Sequence, residues 1–289
     1  MPRWQNLFTA LREHNIHVSA EDLPRPVGGG DISSAWRARA EGTAVFLKTG
    51  PASQLDMFLA EADGLRELEK AGAVRVPAVL ACICSGNESL LALEWIDFEL
   101  PSDDSEKMLG RHLASQHRYT AEQFGWQRDN TIGRTPQHNP WSDDWVEFFK
   151  VHRLGYQLQL AARNGFNGQL QTMGARLLDG IGRFFSDYWP EASLLHGDLW
   201  GGNWAVSDGV PVIFDPAVYY GDREADIAMT SLFGGFGAAF YEAYEEEWPL
   251  AEGYADRERL YQLYHVLNHL NLFGAAYLRR AESILRELT

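Results

Sequence analysis

Apolar positions follow two different patterns along the chain. Up to residue 96, short runs alternate or cluster as strands do, and they predict strands over 32–39, 45–48, 74–79, 81–84 and 89–96, of which those over 74–79 and 81–84 are short and broken by Pro77. Apolar residues at helical spacing predict two helices in the same part, over 3–15 and 53–70. Beyond residue 102 the pattern is mostly helical, with helices predicted over 103–117, 143–164, 169–189, 257–273 and 274–288, and one starting near residue 226. The pattern therefore predicts an α+β protein with a β-rich lobe over 1–96 and a mainly helical lobe over 97–289.

One irregular segment interrupts the helical part, over 124–142. It contains turn residues, several side-chain amides and the two indoles of Trp126 and Trp141. Long ordered loops of this kind often carry function. A surface excursion held down by the two tryptophans explains the same composition, and the sequence leaves both interpretations open.

The most informative polar pattern begins at His196-Gly197-Asp198. Asn203 follows five residues after Asp198, and an apolar run over 212–214 leads to Asp215. Kinases use this order for a base that takes the acceptor proton and for two ligands of the metal that bridges the ATP phosphates. Gly201 and Gly202 would give the loop its freedom in φ. Asp, Asn and Gly are also common turn formers, so an ordinary acidic turn explains the pattern equally well until the rest of the chain is considered.

A glycine-rich turn in the first part supplies a candidate phosphate loop. Gly28-Gly29-Gly30 lead directly into a predicted strand, and we expect Gly28, Gly30, Asp31 and Ile32 to approach ATP phosphates through their backbone. A dinucleotide fold would need a helix after the glycines, and a P-loop would need Gly-Lys-Ser/Thr; neither is present. A plain hairpin turn is the alternative.

Lys48 ends the next predicted strand, where a kinase needs a lysine for the α and β phosphates. The chain has only four lysines against 21 arginines, so this placement is informative. Glu61, in the middle of the following helix, is the predicted partner of Lys48. The strand over 89–96 ends at a linker, where the backbone of Glu94 and Ile96 is expected to contact adenine. A solvated lysine and a buried strand without a ligand are the alternatives.

Charge and composition narrow the class of protein. The formal net charge of −15 argues against nucleic acid and anionic membranes as partners. No apolar run approaches the ~20 residues that span a bilayer, and the first 15 residues lack the apolar core of a signal peptide. Cys82 and Cys84 lie two apart on a predicted strand, so they share a face and are not expected to pair. These features predict a reduced, cytoplasmic protein.

Several longer strings resemble one family. HGDLWGGN, FDPAVYYGDREADIAM, LFGGF and LYQLYHVLNHLNLFG, together with the earlier DNTIGRTPQHNPW and DWVEFFKVHRLGYQLQLA, resemble the fructosamine kinase (ketosamine-3-kinase) family. The resemblance extends from the glycine loop to the last helix. HGD with Asn five residues after the Asp also fits aminoglycoside and choline kinases, and the LWGGN and DPAVYYG extensions are what narrow the assignment.

This resemblance implies a two-lobed, protein-kinase-like fold with a β-rich N-lobe and a mainly α-helical C-lobe. It implies ATP-dependent phosphorylation of a sugar hydroxyl, typically O-3, on free or protein-linked fructosamine or ribulosamine. The product is unstable and releases the amine, so the family is viewed as deglycating. A monomer or weak dimer is expected. Asp31 and Ser33 occupy a loop where some relatives have a cysteine, so no thiol switch is expected there.

Residue roles follow from the same resemblance. Asp198 is the expected catalytic base, and Asn203 and Asp215 are the expected Mg²⁺ ligands. Lys48 is the expected phosphate-binding lysine, with Glu61 as its partner. The expected substrate contacts are Trp200, Asn130, Gln137, Tyr220 and Glu224.

Two residues near the motif are expected to support it without taking part in chemistry. His196 is predicted to be a core histidine that braces the loop, and Asp226 to accept backbone N–H bonds from it. Two rival functions remain at this point: a related kinase acting on an aminoglycoside, choline or homoserine-type alcohol, and a catalytically silent nucleotide-binding protein. The complete set of kinase residues argues against the silent protein.

Overall fold

The computed structural model describes residues 4–19, 23–28 and 33–289. It divides into two compact units, the first formed by residues 1–101 and 205–215 and the second by 102–204 and 216–289. The sequence-based division placed the boundary at 96 and left 205–215 in the helical part. That segment joins the first unit because its backbone is bonded there: the N–H of Glu99 donates to Val206 (2.8 Å), and the N–H of Ile213 donates to the carbonyl of Arg75 (3.0 Å).

A five-stranded antiparallel sheet dominates the first unit. Its spatial order is β1 (Arg25–Pro26), β2 (Ser34–Ala40), β3 (Thr43–Pro51), β5 (Glu88–Glu94) and β4 (Val79–Ser85). The predicted strand over 74–79 is wrong except at its last residue. Pro77 lacks a backbone N–H, so it cannot donate to a sheet ladder.

Two helices accompany this sheet, α1 (Trp4–Arg12) and α2 (Leu55–Ala71), the latter after a 3₁₀ turn (Ala52–Gln54). The inward residues of the strands form a core with α1, as the alternating pattern predicted; among its members are Leu7, Phe8, Leu11, Val45, Leu47, Ile83 and Leu90. A separate hairpin closes the unit, β9 (Trp204–Ser207) and β10 (Val210–Ile213). Cys82 is half-buried and Cys84 is exposed, and neither forms a disulfide.

The second unit is mainly helical. Its helices are α3 (Asp103–His117), α4 (Trp145–Phe149), α5 (Tyr156–Arg163), α6 (Gln169–Asp179), α7 (Glu224–Leu232), α8 (Ala238–Glu247), α9 (Tyr254–Phe273) and α10 (Leu278–Glu287). The helix predicted over 143–164 contains a π-helical stretch (Lys150–Gly155) between α4 and α5. The helix predicted over 169–189 stops at Asp179 and gives way to a 3₁₀ turn (Ile181–Phe185), because Gly180 leaves the helical path.

Two short strand pairs complete this unit. One is the hairpin β6 (Asn130–Ile132) with β7 (Thr135–Gln137), inside the segment predicted as irregular. The other pairs β8 (Ser193–Leu195) with β11 (Tyr219–Gly221), so the strand before His196 lies beside the strand that follows Asp215. Another 3₁₀ turn, Ala275–Tyr277, precedes α10. Across the residues with described coordinates, no helix combines the length and the apolar composition needed to cross a bilayer.

Candidate active site

Lys48 is bound by two carboxylates within the first unit. Its Nζ lies 2.6 Å from Oε1 of Glu61 on α2 and 2.7 Å from Oδ1 of Asp215, two residues after β10. The predicted Lys48–Glu61 pair is therefore confirmed. Asp215 is a second partner that the sequence did not reveal, since it lies 167 residues further along the chain.

Burial and charge act in opposite directions on this triad. Burial by itself lowers the pKa of Lys48, but Asp215 and Glu61 outweigh it and hold the pKa above its ordinary value. Burial raises the pKa of Glu61, and the Lys48 ammonium opposes that rise. The Asp215 side chain is 43% exposed, against 10% for Lys48 and 14% for Glu61. Asp215 is thus the carboxylate of the triad that a ligand can reach from solvent.

The position of Asp215 depends on the β9–β10 hairpin. Its backbone has a positive φ of 57°, a conformation that Asp adopts more readily than most residues. The ring of the preceding Phe214 stacks on Phe98 at 5.2 Å. The Glu99 carboxylate accepts the backbone N–H groups of Asp208 and Gly209, each at 3.2 Å. The segment after β5 therefore holds the hairpin that carries Asp215, which sequence reasoning missed because these contacts are far apart in the chain.

The strand whose end is predicted to contact adenine is β5, which ends at Glu94. The N–H of Glu94 donates to the carbonyl of Ala78 (2.9 Å), so adenine recognition at Glu94 would have to use its carbonyl. Its carboxylate binds Arg75 at 2.8 Å. Ile96 is buried. Gly28 is exposed at a bend two residues after β1, whereas Gly30, Asp31 and Ile32 lie outside the described residues.

The loop carrying Asp198 is braced by one buried carboxylate in the second unit. Asp226 accepts the backbone N–H groups of His196 (2.7 Å) and Gly197 (2.8 Å), as predicted. His196 is fully buried, and its Nδ1 accepts the N–H of Asp198 at 3.3 Å, which confirms its bracing role. Gly197 has a φ of 81°, and a Cβ there would lie 2.1 Å from the carbonyl oxygen of Ala217. Only glycine therefore fits at the turn before Asp198.

Gly201 and Gly202 are needed for close approach, and the expectation that they supply unusual φ values is wrong. Neither has a positive φ. A Cβ on Gly201 would lie 2.9 Å from the Cα of Gly235, and one on Gly202 would lie 2.3 Å from the ring of Trp200. Gly201 thus packs its backbone against the LFGGF segment, and Gly202 lies under the indole of Trp200.

Asn203 and Asp215 present the type of donor that Mg²⁺ prefers. The Asn203 amide nitrogen donates to the carbonyl of Asp198 at 2.8 Å, so its oxygen is the end suited to a metal. Mg²⁺ usually binds one or two protein oxygens together with substrate phosphates and waters. Within the described part of the chain, no group of three or more His, Cys, Asp or Glu residues forms a metal cage. Each of these two residues offers an oxygen of the type that binds a metal arriving with a nucleotide.

Three of the expected substrate contacts have structural roles. Asn130 and Gln137 are buried, and their amide nitrogens donate to the carbonyls of Val218 (2.8 Å) and Ala217 (3.0 Å). They brace the chain just after Asp215-Pro216. Glu224 is fully buried, and both its carboxylate oxygens bind Arg257, at 2.6 and 3.0 Å. The polar atoms of these three residues are used inside the fold, and their contact with an acceptor stays a prediction.

The remaining two expected substrate contacts are Trp200 and Tyr220. Trp200, two residues after Asp198, exposes 40% of its surface. Tyr220 is buried, with its ring 6.2 Å from the exposed indole of Trp141 and its backbone paired with Gly125. Their contact with an acceptor stays a prediction.

A buried cation in the second unit was missed entirely. Arg153 lies in the π-helical stretch and donates to Asn139 Oδ1 (2.6 Å) and to the carbonyl of His138 (2.7 Å). Its guanidinium lies 4.1 Å from the ring centroid of Tyr219. Asn139 in turn donates to Asn130 at 2.9 Å. The cluster of amides in the irregular segment was the available signal: its side chains form a buried network with Arg153.

A sheet-and-helix unit with a Lys–Glu–Asp triad, together with an HGD loop and its Asn, defines a phosphotransferase of the protein-kinase-like fold. Comparison with known proteins is more specific. The family model described as fructosamine kinase matches residues 3–289. The chain belongs to the fructosamine kinase family. The predicted fold class and the predicted class of enzyme, an ATP-dependent phosphotransferase acting on a hydroxyl group, are thereby confirmed.

Individual relatives are similar over most of their length. The chain is 45% identical over 286 residues to a probable ketoamine kinase of Synechocystis sp., covering 98% of this chain and 96% of the relative. It is 43% identical over 263 residues to the chloroplastic protein-ribulosamine 3-kinase of Arabidopsis thaliana, covering 90% and 80%. The crystal structure of a putative fructosamine-3-kinase from Haemophilus somnus superposes with a TM-score of 0.89 at 30% identity, covering 99% and 97%.

Proposed function

We propose that this protein is a ketoamine kinase, which transfers the γ-phosphoryl group of ATP to a sugar hydroxyl, O-3, of fructosamine- or ribulosamine-type adducts. The observation that carries the proposal is the Lys48 ammonium held between Glu61 and Asp215 at 2.6 and 2.7 Å. Family membership and the names of the relatives, ketoamine kinase and protein-ribulosamine 3-kinase, support the acceptor class.

On the nucleotide side, the role of this chain is to hold charge in place. Lys48 stays cationic because two carboxylates face it, and it would bind the α and β phosphates. Asp215 and Asn203 would hold Mg²⁺, which neutralises phosphate charge when bound. Glu61 keeps the Lys48 side chain extended toward Asp215, so little conformational entropy is lost when the nucleotide arrives.

On the acceptor side, Asp198 receives the proton. The O-3 hydroxyl attacks the γ-phosphorus in line, its proton passes to the Asp198 carboxylate, and the bond from the γ-phosphorus to the ADP oxygen breaks. The base must come within about 2.6–3.2 Å of that hydroxyl. A rigid loop favours this geometry, and the bonds from His196 and Gly197 to Asp226 supply the rigidity. Trp200 is the proposed wall of the sugar site.

An acceptor panel tests the proposal. ADP formation would be measured with ATP and Mg²⁺ on ribulosyl-lysine, fructosyl-lysine, a glycated peptide, an aminoglycoside and choline, with product phosphate located by ³¹P NMR. Asp198→Asn is the catalytic control, and omission of Mg²⁺ with chelator tests the metal. We expect turnover on ketoamines only, with phosphate on O-3. Turnover confined to the aminoglycoside or choline, or absent from every acceptor, would overturn the proposal.

Three further properties stay predictions within this proposal. A cytoplasmic location is supported by the lack of a disulfide between Cys82 and Cys84 on β4, and cell fractionation with a tagged chain would test it. A monomer or weak dimer is expected, and light scattering across protein concentrations would show it. Repair of glycated protein is the proposed role, which requires that the glycated peptide compete with the free ketoamine in the same assay.

A further inference from the structure

A buried chain of hydrogen bonds leads from Arg223 to the catalytic loop. Arg223 Nη1 lies 3.0 Å from the hydroxyl of Tyr244 on α8, and that hydroxyl lies 2.7 Å from Nδ1 of His117 at the end of α3. The other ring nitrogen of His117, Nε2, lies 3.2 Å from Oδ2 of Asp226. His117, Tyr244 and Asp226 are each at most 1% exposed. The chain thus ends on the carboxylate that braces the loop before Asp198.

The direction of these bonds follows from the groups at the two ends. A guanidinium only donates, so the Tyr244 oxygen accepts from Arg223 and its own proton goes to Nδ1 of His117. An ionised carboxylate only accepts, so Nε2 of His117 must carry the ring proton and donate to Asp226. Both ends therefore require the same neutral tautomer.

The pKa directions agree with this arrangement. Burial lowers the pKa of His117 more than Asp226 raises it, which keeps the ring neutral. Burial alone raises the pKa of Asp226, but the bonds from His117 and from the Gly197 backbone outweigh it and lower that pKa, which keeps the carboxylate ionised. Burial raises the pKa of the Tyr244 phenol, so it remains a donor.

The Asp226 carboxylate accepts three hydrogen bonds, two from the loop backbone and one from His117. The two loop donors are the backbone N–H groups of His196 and Gly197, one on each carboxylate oxygen. The third, from His117, shares Oδ2 with the His196 N–H. A carboxylate held only by the loop could rotate with the loop, whereas a donor from a separate helix anchors it to α3.

We propose that His117 is a positioning residue for phosphoryl transfer, whose Nε2–H holds the Asp226 carboxylate in the orientation that aligns the loop carrying Asp198. This inference rests on the proposed kinase function, in which Asp198 is the base. Tyr244 sets the tautomer of His117, and Arg223 sets the direction of the Tyr244 hydroxyl. A displacement of about 1 Å at a reacting group costs up to roughly 100-fold in rate. The nucleotide-binding triad lies in the first unit and does not depend on His117.

Two substitutions at His117 separate the positioning role from simple packing. In His117→Gln the side-chain amide reaches about as far as Nε2 and can still donate to Asp226. In His117→Asn the amide reaches only about as far as Nδ1, and the bond to Asp226 is lost. His112→Asn makes the same change on the same helix at a partly exposed position and serves as the matched control.

We expect His117→Asn to lower kcat about 10- to 100-fold while the KM for ATP changes less than about threefold. His117→Gln should recover most of that loss, and His112→Asn should behave as the wild type. Equal kcat values for wild type and His117→Asn would overturn the proposal. So would equal losses in the Asn and Gln variants that follow their thermal stabilities, because a packing role does not distinguish the two amides.

A spectroscopic measurement tests the arrangement independently of activity. The ¹⁵N shifts of the His117 ring, assigned by its absence in His117→Gln, should show protonated Nε2 and unprotonated Nδ1 in the wild-type protein. Tyr244→Phe should move the Nδ1 shift, and it provides this test if His117→Asn does not fold. A protonated Nδ1 in the wild type would overturn the proposal. If the wild type phosphorylates no acceptor, the proposed function fails, whereas the ring shifts still decide the tautomer.

Discussion

The two units hold their candidate functional residues in place by different means. In the first unit, Lys48, Glu61 and Asp215 are held by direct attraction between charged side chains at 2.6 and 2.7 Å. In the second unit, the Asp198 loop is held by backbone N–H groups that converge on one buried carboxylate, Asp226. The first unit thus fixes charged side chains, whereas the second fixes the backbone conformation of a loop.

This difference matches the roles proposed for Lys48 in the first unit and for Asp198 in the second. A phosphate-binding lysine must stay cationic. Neighbouring carboxylates keep it charged without requiring its position to be exact. A general base must be placed within tenths of an ångström, and backbone hydrogen bonds to a fixed carboxylate restrain position better than flexible side chains do. We therefore expect substitutions around Lys48 in the first unit to act mainly on ATP binding, and substitutions around Asp198 in the second unit to act mainly on turnover.

Asp198→Asn should have the largest effect. Loss of the base should lower kcat about 1,000-fold, since general base catalysis contributes roughly 10²- to 10⁴-fold. ATP affinity, measured by calorimetry, should change less than about threefold because the loop backbone is unaltered. Asp256→Asn, at an exposed position on α9, is the control. Turnover within about threefold of the wild type would exclude Asp198 as the base.

Lys48→Met should have the next largest effect, and it should act on the KM for ATP. Losing a charge-assisted contact worth about 1.5–3 kcal/mol should raise the KM for ATP roughly 10- to 100-fold. Glu61→Gln should raise it less, about threefold to tenfold, because Asp215 still faces the ammonium. Lys70→Met, on the exposed side of α2, controls for loss of a lysine. If both Lys48 and Glu61 variants changed only kcat, the proposed division of labour would be wrong.

Glu224→Gln should affect stability and leave chemistry almost unchanged. Its carboxylate forms a buried ion pair with Arg257, and loss of the charge should lower the free energy of unfolding by about 2 kcal/mol. Urea titration measures this, with exposed Glu242→Gln on α8 as the control. The KM for the acceptor should stay within about twofold. A large rise in that KM at unchanged stability would instead support a contact between Glu224 and the acceptor.

The smallest expected effect concerns pH. Burial and the neighbouring Glu224 raise the pKa of Asp222 from 3.8 to about 7, while the hydroxyl of Tyr261 and other donors partly oppose the rise. The native state therefore keeps a proton that the unfolded chain releases above its lower pKa. The stabilisation from Asp222 is complete below pH 3.8 and is lost as pH rises through about 7.

Asp222→Asn mimics the protonated acid and should remove this dependence. The difference in free energy of unfolding between wild type and variant should change by on the order of 1 kcal/mol between pH 6 and 7.5, with the wild type losing stability relative to the variant. Urea titrations across that range measure it. A constant difference would show that Asp222 is ionised throughout.

Much of the secondary structure followed from local pattern. Helix α3 has the bounds predicted from its apolar face, and α9 and β5 begin or end within a few residues of expectation. The differences from the predicted elements have local causes too. The strand predicted over 74–79 contains Pro77, and the helix predicted over 169–189 ends at Asp179, before Gly180. The hairpin of residues 205–215 is different, since its place in the first unit depends on contacts with Arg75 and Glu99 that no local pattern encodes.

The sequence by itself determined the chemistry that lies within one short stretch. His196, Asp198 and Asn203 are close in the chain, so their spacing limits how the loop can fold, and Lys48 and Glu61 lie on adjacent elements. Only the tertiary structure decided what each buried polar group does. Asp215 joins Lys48, Asp226 joins His117, and Glu224 joins Arg257 across 33 to 167 residues. A carboxylate has the same formula in each place, and its burial and its partners decide whether it faces a lysine, holds a loop or pairs with an arginine.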